Sequence, residues 1–336
     1  MKKKLVLMGS VFATLLAVNN ATAQSGYKLS NTFHIKSTGW WDYIAVNEST
    51  NKLYVSHGTQ VNILDKTSGD SLGIIPNTEG VHGIAFINSL GKGYTSNGRS
   101  NNVTVFDLAT NKVLTQIATG ENPDAIFYEP YSKTIITCNG RSKNLSVINP
   151  LDNTVIATIP VEGKPETAVS NEAGKVFVNI EDKNEIVVID ITKHQVIAHW
   201  SIAPADGPTG LAIDIATKRL FAGCEKQLVV INADNGKIIN TLPIGDGCDG
   251  VAFDNTSKLV FTSNGSGTVT VIKEKNASDF TVLDNVITKR GARTICVDEQ
   301  SHKLYLPTAE FEPRPAGEKG RPKMIDGTFQ VLVLTK

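Results

Sequence analysis

The chain has 336 residues, with 33 Lys plus Arg against 33 Asp plus Glu. This balance lacks the cationic surplus that binding to a phosphate backbone requires, and it argues against nucleic acid as a partner. The four cysteines, Cys138, Cys224, Cys248 and Cys296, are too few for a disulfide scaffold and fall in no CxxC or zinc-ligand spacing.

Lys2, Lys3 and Lys4 precede an apolar run from Leu5 to Val18, and Ala21-Thr22-Ala23 follows as an A-x-A cleavage site. This pattern predicts a secretory signal peptide over residues 1–23, export to the periplasm or beyond, and a mature chain starting near Gln24. Without the three leading lysines the basic count falls to 30 against 33, a charge of about −3. No later stretch has the length of an apolar membrane span, so none is expected.

From residue 24 onward the chain repeats itself. Ile44-Ala45-Val46, Ile84-Ala85-Phe86, Ile126-Phe127-Tyr128, Ala168-Val169-Ser170, Leu211-Ala212-Ile213, Val251-Ala252-Phe253 and Ile295-Cys296-Val297 align at steps of 40, 42, 42, 43, 40 and 44 residues. Ten residues after each (nine in the fourth unit) comes Tyr54, Tyr94, Ile136, Phe177, Phe221, Phe261 or Tyr305. Alternating runs such as Val103 to Asp107, and β-branched runs such as Thr154 to Pro160, complete each unit between Gly, Asn, Asp and Pro turn signals. Four short strands per unit, repeated seven times without helical periodicity, predict an all-β, seven-bladed β-propeller with four-stranded blades. The seventh unit ends one strand short at Phe329 to Val333, and Tyr27 to Ile35 reads like the missing outer strand. Pairing the two ends would complete the C-terminal blade and remove two exposed sheet edges. Residues 24–336 are therefore expected to form a single domain, with a loop insertion at 311–327 in blade seven.

The second strands reading Tyr94-Thr95-Ser96-Asn97 and Phe261-Thr262-Ser263-Asn264 resemble the YVTN-repeat β-propeller family, which includes YncE-like exported proteins. The third strands ending in Asp65, Asp107, Asn149, Asp190 and Asn232 carry the same resemblance, as do the junctions Gly120-Glu121-Asn122-Pro123 and Gly163-Lys164-Pro165. The likeness spans essentially the whole mature chain. It implies the propeller fold and no particular chemistry, since propellers host binding modules, lyases and lactonases alike. It also suggests single-stranded nucleic acid as a ligand, which the charge balance opposes.

In a propeller, inner strands begin on the face at which second strands end, so functional side chains concentrate there. The residues just before the inner strands are Asp42, His82, Asp124, Glu166, Thr209, Asp249 and Arg293. They are expected to ring the mouth of the central tunnel, with Trp40 and Trp41 as an apolar wall. Crowded carboxylates should raise one another's pKa or attract a divalent cation, for which Asp42, Asp124, Glu166 and Asp249 are the candidate ligands. His82 and Arg293 add the means to bind an anion, move a proton or steady an oxyanion, which makes His82, Asp124, Glu166 and Arg293 the catalytic candidates. Asn139-Gly140-Arg141 repeats Asn97-Gly98-Arg99 one blade on, placing the guanidinium groups of Arg99 and Arg141 side by side for a carboxylate, phosphate or sugar. The second-to-third loops also contribute His57, Asn97, Asn139, Asn179 and Asn264, residue types that turns favour on their own account.

The insertion, with Pro313, Pro315 and Pro322 among Arg314, Lys319, Arg321 and Lys323, reads as a basic lid over the mouth. Cys224 and Cys248 fall on the same face of adjacent blades, which predicts a disulfide between them, with Cys138 and Cys296 as buried free thiols. The expected function is binding of a small polar ligand or another exported protein at the tunnel mouth by a monomer. The alternative is a cation-assisted, lactonase-like hydrolase or a lyase at the same place.

Overall fold

A computed structural model describes residues 24–313 and 322–336. The expected signal peptide and residues 314–321 of the insertion lie outside the described residues. The chain forms seven four-stranded antiparallel sheets, each built from consecutive strands except the last. In blade one these are Ile44–Asn47, Lys52–His57, Gln60–Asp65 and Ser71–Ile75, from the tunnel outward.

Burial explains why strands of different composition occupy different ranks. The second and third strands are sandwiched between neighbouring blades and buried on both faces, so they are continuous apolar runs such as Glu185–Asp190. The outermost strands face solvent on alternate residues, as in Gln195–Ser201. Third strands end in Asp or Asn because that side chain caps the turn to the outer strand. Asp107 Oδ1 accepts from the Thr110 amide at 2.7 Å, Asn149 Oδ1 from Leu151 at 3.0 Å and Asp190 Oδ1 from Thr192 at 3.0 Å. Asn111 then takes φ +60°, a left-handed conformation that Asn tolerates.

The core is divided among the blade interfaces. Seven buried apolar clusters each join two adjacent blades. The aligned column Tyr54, Tyr94, Ile136, Phe177, Phe221, Phe261 and Tyr305 is fully buried within them. Blade seven takes its outer strand from the other end of the chain. Lys28–His34 pairs antiparallel with Gln330–Thr335, setting Phe33 opposite Val331 and Thr32 opposite Leu332. Phe33 is buried against Tyr305, and Tyr27 packs edge-on against Phe261 of blade six. Across the seam to blade one, Lys66 pairs with Asp298 at 2.9 Å, and Tyr305 Oη donates to the Lys66 carbonyl at 2.7 Å.

The described ends of the insertion are ordered into the blade. Phe311 bridges Met324, the Glu312 amide donates to the Lys323 carbonyl at 2.9 Å, and Phe311 packs on Trp40 and Trp41. Among the described residues, no helix is long and apolar enough to cross a membrane.

Candidate functional site

The ring positions lie where inner strands begin, and in four blades strand pairing slips at that point. The slips fall between Val81 and Ile84, Pro123 and Ile126, Pro165 and Ala168, and Cys248 and Gly250. Such a bulge takes a residue out of the pleat and re-aims its side chain. His82, Asp124, Glu166 and Asp249 occupy the slips. Hydroxyls of neighbouring blades then fix this backbone. Ser96 Oγ donates to the Asp124 carbonyl, Ser263 Oγ to that of Arg293 at 2.5 Å, and Thr294 Oγ1 to that of Asp42 at 2.6 Å.

All seven ring residues line one cavity of about 770 Å³, together with Trp40, Trp41, Arg99 and Arg141. Its size is that of pockets enclosing small molecules, about 300–1,000 Å³. Tyr43 lines it as well. From blade one, this side chain packs against the core between blades three and four, and its hydroxyl lies 3.5 Å from Thr167 Oγ1 of blade four. The mouth is thus a cup with Tyr43 spanning its depth. Burial holds the phenol's pKa well above its usual value, and Asp124, Asp42 and Glu166 add to the shift. The residue following each ring position is Gly83, Ala125, Thr167, Gly210, Gly250 or Thr294 in the other blades. One large side chain in a column of small ones was the available signal for Tyr43.

The charges are arranged as partnered groups rather than as a bare acidic ring. His82 Nδ1 lies 2.6 Å from Asp42 Oδ2 and 3.9 Å from Asp124 Oδ1. Arg293 bridges Asp249 and Asp42, the latter at 3.4 Å. Lys164, which the column of ring positions does not contain, contacts Glu166 at 2.7 Å and also Glu181. The expected mutual repulsion of four carboxylates is therefore corrected in part, because Asp42, Asp249 and Glu166 each have a cation in contact, while Asp124 still acts on Glu166. Burial disfavours charge on His82, but the hydrogen bond to Asp42 and the fields of Asp124, Asp42 and Glu166 outweigh it and raise its pKa to about 9. The imidazolium donates Nδ1–H to Asp42. Burial raises the pKa of Asp124, opposed by His82 and reinforced by Asp42. Burial likewise raises Glu166, with Asp124 adding to the shift and Lys164 opposing it.

Arg99 and Arg141 are exposed at the rim and make no side-chain hydrogen bond or ion pair among the described residues. Gly80 and Gly98 let this part of the wall close up. A Cβ on Gly80 would stand 2.8 Å from Arg99 Cβ, and one on Gly98 would stand 2.6 Å from His82 Nε2.

The only grouping suited to a metal among the described residues is Asp42, His82 and Asp124, whose ligand atoms lie within 4.8 Å of one another. One nitrogen and two carboxylate oxygens suit a divalent cation. The fit requires a neutral imidazole, and the surrounding carboxylates favour the charged form. Glu166 and Asp249 stand outside this set.

Several second-strand residues serve the fold. Asn97 Nδ2 donates to Thr104 Oγ1 at 2.8 Å, Asn139 Nδ2 to Ser146 Oγ at 2.9 Å and Asn264 Nδ2 to Thr270 Oγ1 at 3.1 Å, each tying the second strand to the third. His57 is buried against Phe329 between Ser37 and the Gly39 carbonyl, and burial lowers its pKa to about 4. The expected Cys224–Cys248 disulfide is also corrected, since both are buried free thiols. Each sulfur turns back along its own strand, Cys224 Sγ toward the Ala222 carbonyl at 3.8 Å and Cys248 Sγ toward that of Gly250 at 3.6 Å. Cys138 is buried and free as expected, and Cys296 is free and half-buried.

No family model matches the sequence, and no curated protein is similar to it. Solved structures share the fold. A chain of Kuenenia stuttgartiensis hydrazine synthase is similar at 16% identity over 81% of this chain and 94% of that one, with a TM-score of 0.72. The WD40 repeats of RRP9 are similar at 11% identity over 94% and 99% of the two chains, TM-score 0.76. U3-55K is similar at 11% identity over 92% and 99%, TM-score 0.75. At these identities the likeness establishes the propeller and no activity.

Proposed function

We propose that this chain is an exported β-propeller of the YVTN-repeat type that binds a small polar ligand, through an anionic group, in the cup at its tunnel mouth. Export rests on Lys2 to Lys4, the apolar run and Ala21-Thr22-Ala23. The observation that carries the binding reading is the contrast within the cavity. His82, Lys164 and Arg293 are engaged by carboxylates, while Arg99 and Arg141 are left unpaired at the rim. Guanidinium groups lining one cavity from neighbouring blades are suited to a carboxylate or phosphate. An acidic side chain of an exported protein partner would engage the same groups.

Calorimetric titration with inorganic phosphate, citrate and glucuronate tests this reading. At least one should bind, and the Arg99→Gln/Arg141→Gln double variant should bind it at least about tenfold more weakly, the loss expected for charged hydrogen bonds. Equal affinity in the variant, or no binding by any of these anions or by a ligand carrying a carboxylate beside another charge, would overturn it.

Cation-assisted hydrolysis is the second reading, favoured by the convergence of Asp42, His82 and Asp124. Metal analysis of the purified protein separates the two. A stoichiometric divalent cation that is lost in Asp124→Asn would favour the hydrolase.

A further inference from the structure

The cup holds one carboxylate that its own side chains leave unsatisfied. Asp124 has 13% of its side chain exposed and lines the cavity. Its nearest cation is His82 Nδ1 at 3.9 Å, and that proton already goes to Asp42 at 2.6 Å. No hydrogen-bond donor reaches the Asp124 carboxylate among the described residues, whereas Glu166 beside it is held by Lys164 at 2.7 Å. A largely buried carboxylate without a donor is costly, and the cost is relieved by an incoming N–H or O–H group. Burial accordingly pushes the Asp124 pKa up.

The complementary deficit sits on the same two blades. Arg141 belongs to blade three, as Asp124 does, and Arg99 to blade two beside it. Both guanidinium groups are exposed and unpaired at the rim of the cavity whose wall Asp124 forms. The cavity therefore offers an unsatisfied acceptor inside and unsatisfied cationic donors at its edge. An anion alone would satisfy only the edge and would be repelled by the carboxylates within. A cation alone would satisfy only the interior.

Resting on the binding reading above, we infer that the ligand is a zwitterion, a free amino acid or short peptide, whose ammonium group enters toward Asp124 and whose carboxylate is held by Arg99 and Arg141. The ammonium supplies the hydrogen bonds Asp124 lacks, and Glu166 adds a second carboxylate near it. The carboxylate takes the guanidinium groups. Tyr43 lines the same cavity, with its hydroxyl 3.5 Å from Thr167 of blade four. About 770 Å³ has room for more than one residue, which favours the peptide over the single amino acid.

The test uses tri-alanine and alanine as zwitterions, with N-acetyl-tri-alanine and tri-alanine amide as forms lacking one charge each. Calorimetry on the mature protein should show tri-alanine binding, with each blocked form weaker by at least about tenfold, since each loses a charged hydrogen-bonding end. Asp124→Asn should erase the difference between tri-alanine and its N-acetyl form, and Arg141→Gln should shrink the difference between tri-alanine and its amide. Alanine binding as tightly as tri-alanine would identify the free amino acid as the source of the zwitterion. Blocked and unblocked peptides binding alike would overturn the inference. So would phosphate or citrate binding through Arg99 and Arg141 while neither zwitterion binds, which leaves the anion reading intact. Absence of binding by zwitterions and anions together would overturn both.

Discussion

Replacing Asp42 by Asn probes the electrostatic centre of the cup, because Asp42 is the hydrogen-bond partner that keeps His82 charged. The rise of the His82 pKa from its usual 6.5 to about 9 corresponds to about 3 kcal/mol of preference for the imidazolium in the folded state, at about 1.4 kcal/mol per pH unit. A group whose folded pKa is raised contributes stability that is fully present below the unfolded pKa and lost as pH rises through the folded one. In the native protein this contribution is complete below pH 6.5 and fades up to about pH 9. Asp124 and Glu166 act in the same direction, because their pKa values are also raised and ionising them in the folded state costs stability as pH climbs. Both carboxylates remain in Asp42→Asn, so the pH-dependent part of the difference between the two proteins reports the His82–Asp42 pair, and the lost Arg293 contact at 3.4 Å adds an offset that does not vary over this range. Urea denaturation should find the variant less stable at pH 6, with about 2–3 kcal/mol of that difference disappearing above pH 9. NMR titration of the His82 ring should give a midpoint near 9 in the native protein and at least about one unit lower in the variant. A native midpoint at or below 6.5, or parallel stability curves across pH 6 to 10, would refute the argument.

The Asp124→Asn/Glu166→Gln double variant should melt within about 2 °C of the native protein or above it at pH 8, because it removes carboxylates whose burial disfavours charge, while ligand binding is lost; unfolding of the variant would mark both as structural. Phe33→Ala should cost about 3–5 kcal/mol in urea denaturation, since the ring is buried against Tyr305 and Gly69 at the seam that joins the two chain ends. A loss below about 1 kcal/mol would mean that this strand adds little to the ring. Alkylation followed by mass spectrometry should count four free thiols after denaturation, with slow reaction before it because burial raises the thiol pKa at Cys138, Cys224, Cys248 and Cys296. A cross-link between Cys224 and Cys248 would contradict the free-thiol arrangement.

The seven blades were legible because a propeller repeats one local pattern, and a column such as Tyr54, Tyr94 and Phe261 reports the same buried slot in each unit. The same registration located Asp42, His82, Asp124, Glu166, Thr209, Asp249 and Arg293 at the head of the inner strands, and the ring they form is a direct consequence of sevenfold repetition. The Asn residues ending second strands were legible as positions, yet only the structure showed them tying strand to strand. A repeat says where a residue stands within its blade. It says nothing of which way a bulge turns the side chain or what it meets across the tunnel.

Those outcomes depended on residues far apart in the chain. Lys164 lies in a blade junction and engages Glu166 and Glu181 only because the loops of blade four fold together there. Tyr43 reaches Thr167 124 residues away, which happens only when blades one and four face each other across a closed ring. Cys224 and Cys248 stand on neighbouring blades as read, but both are free thiols, each with its sulfur beside a carbonyl of its own strand. Sequence alone determined the blades and the face, because these follow from short-range periodicity. Tertiary structure decided which charges cancel and which stay unpaired, because pairing is fixed by distances of a few ångströms between blades that the linear order does not encode.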